Sequence, residues 1–130
     1  MDTGFILIDT SVLIDYFRKT KKETAFFETV LELNKPICLS VITHFEIMVG
    51  NNTRQNSFWN LLLEELPVYD YHPQLNKTAI EIHSQLKKIN KSIPFQDLII
   101  AATAIHYDYT LASINKKHFQ HIKALKLITP

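Results

Sequence analysis

The sequence predicts an α/β fold: a central parallel sheet of about five strands with helices on both faces. Short apolar runs such as FILI at 5–8 alternate with longer stretches of helical period. Unbroken apolar runs mark strands buried on both faces, as they are when helices cover each side of a parallel sheet. Alternation of strands with helices is itself the connectivity of such a sheet.

Residues 5–8 form the first strand. Thr10 or Ser11 then caps a helix running to about Phe17. Residues 23–33 carry Phe26, Phe27, Val30 and Leu31 at helical spacing, and residues 36–40 read as a second strand. In SVITHFEIMVG, the residues Val41, Ile42, Phe45, Met48 and Val49 make one apolar helical stripe, closed by Gly50. Residues 57–65 are a further helix, where Phe58, Trp59 and Leu62 suit a core or an interface. Residues 66–69 are strand-like, and Pro67 indicates an edge strand or a strand start. Leu75, Ala79, Ile82, Leu86 and Ile89 step by three and four along a long amphipathic helix. IPFQDLIIAATAI is apolar nearly all round, so its helix should be buried. Residues 109–112 make a strand and residues 125–128 a last one. No repeat, low-complexity tract or linker interrupts this order, and residues 1–130 read as a single domain.

The hydrophobic fraction of 46% is enough for a real core, and the charged fraction of 21% is ordinary. The net charge of +1 creates no global basic field, so any polyanion site must come from local clustering. Cys38 is the only cysteine, which precludes an internal disulfide and fits a reducing cytoplasm. The opening MDTGFILID lacks the basic and long apolar regions of a signal peptide, and no apolar run approaches the roughly 20 residues of a membrane helix. The expectation is a soluble, cytoplasmic protein. The two glycines, Gly4 and Gly50, lie outside any glycine-rich loop, which excludes a P-loop or Rossmann phosphate cradle.

Three carboxylates stand in apolar surroundings. Asp9 ends the first strand, Glu46 sits among Phe45, Ile47 and Met48, and Asp97 opens the buried helix. Taken singly, Asp9 and Asp97 could be helix caps and Glu46 could face solvent. Taken together, they suit a metal site. Mg²⁺ takes hard oxygen ligands, and carboxylates from separate segments share a pocket when a cation offsets their repulsion. In an open parallel sheet, ligands bind beyond the carboxyl ends of the strands, where Asp9 falls.

ILIDTSVLIDYF, the mid-chain Glu of SVITHFEIMVG, IPFQDLIIAATA and TLASINKKHF together resemble a PIN domain. More narrowly they resemble the VapC-type ribonuclease toxins of toxin–antitoxin pairs, over nearly the whole chain and in the family's order. The resemblance implies a three-layer α/β/α fold and metal-dependent hydrolysis of RNA phosphodiesters. It makes Asp9, Glu46 and Asp97 ligands for Mg²⁺ or Mn²⁺, with Thr10, Ser11 and Ser113 orienting water. The family often has Asp at its fourth position, where this chain has Asn115. Asn offers a carbonyl oxygen but no charge, so a second metal should bind more weakly. The resemblance further implies a homodimer and a cognate antitoxin.

Nine of the fourteen Lys and Arg lie near the acidic motifs: Arg18, Lys19, Lys21, Lys22, Lys87, Lys88, Lys91, Lys116 and Lys117. They are candidates to rim the pocket and contact RNA phosphates; ordinary solvated charges are the plainer alternative. His118 and His121 lack the company of a zinc site and read as surface residues. Two other readings stand beside the nuclease. One is a degenerate PIN fold that binds RNA or protein without cutting. The other is a receiver-like phosphoacceptor domain, for which ILIDTS lacks the adjacent acidic pair.

Overall fold

The computed structural model describes residues 4–50 and 56–130, apart from the side chains of Asn56, Phe58 and Trp59. The apolar patch expected at Phe58 and Trp59 therefore lies outside the described residues. The sheet order is β3 (Val68–Tyr69), β2 (Ile37–Ser40), β1 (Ile6–Ile8), β4 (Thr110–Ala112), β5 (Leu127–Ile128), and every pairing is parallel. β3 lies at the edge, as Pro67 indicates.

Strand side chains alternate between two cores. Leu7, Cys38 and Leu111 pack with α5 (Leu75–Lys88) and α6 (Phe95–Tyr107) on one face. Ile6, Ile8, Leu39 and Ala112 pack with α1 (Thr10–Arg18) and α2 (Phe26–Leu31) on the other. The result is the α/β/α layering the sequence predicts. The spacing of Leu75, Ala79, Ile82 and Leu86 places all four in the core, and seven residues of α6 are buried.

The structure departs from expectation at three helices. Residues 23–33 do not form one helix: a 3-10 turn at Lys22–Thr24 precedes α2, with Ala25 extended between them (φ −75°, ψ 146°). Thr24 Oγ1 donates to the Lys21 carbonyl at 2.7 Å, the local bond by which Thr diverts backbone from a helix. In α3 (Val41–Gly50) Thr43 and Ile47 are buried, and Ile42 of the stripe packs against the core half-buried. Phe45 and Val49 of the apolar stripe are 63% and 67% exposed, and Met48 is exposed with them. Helical periodicity finds an apolar face without saying what covers it. A short α7 (Lys116–Phe119), unforeseen in the sequence, follows β4 and is anchored by buried Phe119.

Among the described residues, no helix is long and apolar enough to cross a membrane.

Candidate active site

The chain order β1, β2, β3 runs outward along one side of the sheet, and β4 returns to the other side of β1. The switch point therefore lies between the carboxyl ends of β1 and β4, where such sheets form ligand crevices. Asp9 follows β1 there and Ser113 follows β4.

Asp9 occupies the position just before α1, with extended backbone (φ −72°, ψ 152°), yet its side chain caps nothing. Its carbonyl accepts the Val12 N–H at 3.1 Å. Its Oδ2 accepts from Ser11 Oγ and from Ser113 Oγ, each at 2.7 Å. Those hydroxyls in turn accept backbone N–H groups, Ile114 onto Ser11 at 3.1 Å and Asn115 onto Ser113 at 3.0 Å. The simple cap reading of Asp9 is thus replaced by a carboxylate, 2% exposed, pinned across the ends of two strands. Ser113→Ala removes one donor from this buried acid. It is expected to lower stability by about 1–3 kcal/mol, read as a lower urea midpoint with an unchanged slope.

Glu46 comes from α3. Ser40 Oγ accepts the Thr43 N–H at 3.1 Å and starts that helix. Thr10 Oγ1 donates to Glu46 Oε1 at 2.7 Å and lies 3.1 Å from Thr43 Oγ1. Asp97 lies in the first turn of α6 and is 7% exposed. It is no cap either, since its Oδ2 is 2.5 Å from His118 Nδ1 on α7.

The three acids line one open cavity of about 680 Å³. Thr10, Ser11, Asp15, Arg18, Lys19, Asn115 and His118 share its walls. Lys87, Lys88, Lys91, Lys116 and Lys117 are not among the lining residues. Lys22 is employed elsewhere: its Nζ donates to the Tyr16 and Phe17 carbonyls, each at 2.7 Å, closing the end of α1. Ser113 touches Asp9 rather than lining the cavity. His118 is the site residue that sequence reasoning passed over. Its only signal was position, one helical turn beyond Asn115.

Burial pushes the Asp97 carboxyl above the usual carboxylate range. The nearby Asp9 charge adds to this, the His118 contact opposes it, and Glu46 pushes weakly upward. The acids feel one another, as groups sharing a cation site must. Among the described residues, no three His, Cys, Asp or Glu side chains close on one point as a finished ligand set. An open wall of oxygen donors of this kind fits Mg²⁺, which keeps several waters and takes one or two carboxylates plus substrate phosphate. Cys38 supplies no rival chemistry: it is buried, and burial pushes its thiol up to about 12.

The sequence profile of the PIN domain matches residues 6–125. Ribonuclease VapC1 of Methanocaldococcus jannaschii is 36% identical over 123 residues, covering 94% of this chain and 84% of that protein. The chain therefore belongs to the PIN domain family and, within it, to the VapC ribonucleases. VapBC2 from Rickettsia felis, solved bound to a DNA fragment from its promoter, superposes with a TM-score of 0.83 at 24% identity and supports the fold alone. That match covers 97% of this chain and 98% of the other. A toxin–antitoxin complex from Klebsiella pneumoniae matches with a TM-score of 0.77 at 26% identity, over 96% of this chain and 97% of the other.

Proposed function

We propose that the chain is a divalent-metal-dependent endoribonuclease, the toxin of a toxin–antitoxin pair, acting in the cytoplasm. The observation that carries the reading is the convergence of Asp9, just after β1, Glu46 of α3 and Asp97 of α6 on one cavity at the switch point of the sheet. Family membership and the ribonuclease relative support the reaction class.

Asp9, Glu46 and Asp97 would hold Mg²⁺ or Mn²⁺, with Asn115 contributing an uncharged oxygen. Such an ion supplies positive charge against phosphate oxygens and makes water a stronger acid. The hydroxyls of Ser11, Ser113 and Thr10 keep the carboxylates in place without adding charge. Arg18 and Lys19, on the cavity wall, are positioned to take RNA phosphates beside the scissile one. Lys87, Lys88, Lys91, Lys116 and Lys117 would serve a longer RNA path. Replacing Arg18 and Lys19 with Ala is expected to flatten the plot of log affinity against log salt by about 1.5–2 units. An unchanged slope in the Lys87, Lys88 and Lys91 triple-Ala chain removes those three from the path.

The exposed apolar face of α3, with Phe45, Met48 and Val49, adjoins α4 (Asn56–Glu65), whose Leu61 is also exposed. Exposed apolar side chains gathered on two neighbouring helices suit an interaction surface. We assign it to protein partners, the antitoxin and a second copy of the chain.

The deciding test is RNA cleavage by the purified chain, free of any partner, with and without Mg²⁺ or Mn²⁺. Metal-dependent cleavage that is lost in Asp9→Ala establishes the nuclease. Absence of both cleavage and metal binding turns the reading to a binding module.

A further inference from the structure

We propose that His118 is the positioning residue for Asp97, holding that carboxylate in the orientation from which it receives the metal; this inference rests on the metal reading above. Each acid of the site has a side-chain donor on one of its oxygens: Ser11 and Ser113 on Asp9 Oδ2, Thr10 on Glu46 Oε1, His118 on Asp97 Oδ2. The first two acids are held by hydroxyls, which rotate to suit. Asp97 alone is held by a planar ring, which admits fewer geometries.

An ionised carboxylate has acceptors only, so Nδ1 of His118 must carry the hydrogen at this 2.5 Å contact. One oxygen of Asp97 is then committed to His118, and the other is left to a ligand. The ring is itself well placed. Its neighbour Phe119 is 1% exposed and belongs to the same core as Ile99 and Ile100 of α6. The link therefore ties α7 to the start of α6 through a buried anchor. Without it, Asp97 is pressed by the charges of Asp9 and Glu46 with no side-chain donor to fix its rotamer. Partners that orient a ligating group commonly govern metal affinity by 10–100-fold.

Three variants separate positioning from bulk. In His118→Asn the amide nitrogen stands where Nδ1 stood, so the bond to Asp97 can be kept. His118→Gln places its amide nearer the former Nε2, and His118→Ala has no donor. Mn²⁺ binding is measured by calorimetry on the purified chain, with kcat and KM for RNA cleavage alongside. The expected result is Mn²⁺ affinity weakened about 10-fold or more in the Ala and Gln chains and within about threefold of the parent in the Asn chain. Parent-like Mn²⁺ affinity in His118→Ala overturns the inference and leaves the nuclease reading standing. So does an Asn chain that binds no better than the Ala chain. A parent chain that binds no Mn²⁺ overturns the metal reading and the inference with it.

Discussion

Replacing Asp97 with Asn is expected to cut RNA cleavage about 1000-fold while raising the Tm of the metal-free protein by a few degrees. The two effects share a cause. Burial and the charges of Asp9 and Glu46 hold the Asp97 carboxyl above its unfolded value. A raised carboxylate contributes stability that is fully present below the unfolded pKa and lost as pH rises through the folded pKa. At neutral pH the ionised Asp97 is therefore a burden on the metal-free fold, and Asn relieves it. Asn also keeps a carbonyl oxygen to accept from His118. Thermal melts should show the difference between parent and variant vanishing in acid. Added Mn²⁺ should raise the parent's Tm by mass action and leave the variant's unchanged. A variant that is both less stable and less active would mean that Asp97 serves the fold rather than the reaction.

Leu7→Ala is expected to lower stability by about 3–4 kcal/mol. Leu7 is wholly buried in the central strand, hydrogen-bonded through β2 and β4 on either side. Buried neighbours such as Cys38, Ile100 and Leu111 share its core, so the space left is expected to persist as a cavity. Against a typical total of about 5–15 kcal/mol this is a large share. Urea titration should show the midpoint fall with the slope unchanged. Leu61→Ala is the control. That side chain is 66% exposed, and its loss should stay within about 0.5 kcal/mol.

The central strands and the two long helices were legible because each carries a strong period. Ile6, Leu7 and Ile8 are buried on both faces, and the steps of Leu75, Ala79, Ile82 and Leu86 meet one core. The acids were legible because a charge in an apolar run is costly without a partner. What that cost does not reveal is the identity of the partner. Asp9 sits at a cap position and still spends its carboxylate on Ser11 and Ser113, one of them 104 residues away. The α3 stripe misled in part for a related reason: periodicity reports an apolar face, and here Ile42 of the stripe packs on the core beside Thr43 and Ile47 while Phe45, Met48 and Val49 stay exposed. His118 was illegible because its contact to Asp97 spans 21 residues and a short helix with little periodicity of its own. Long-range polar pairing leaves no local trace.

The acids of the cavity come from well-separated stretches of chain, at positions 9, 46 and 97, with His118 later still. During synthesis a growing polypeptide that has completed α5 holds two of the three carboxylates and lacks the third wall. Since the exit tunnel hides the most recent residues, α6 and α7 must clear it before the pocket can exist. A growing chain thus lacks Asp97 and His118 until those helices emerge. A circular permutant that opens at residue 94, with residues 94–130 ahead of β1, is expected to complete the pocket earlier in synthesis, read as RNA cleavage by stalled, incomplete chains.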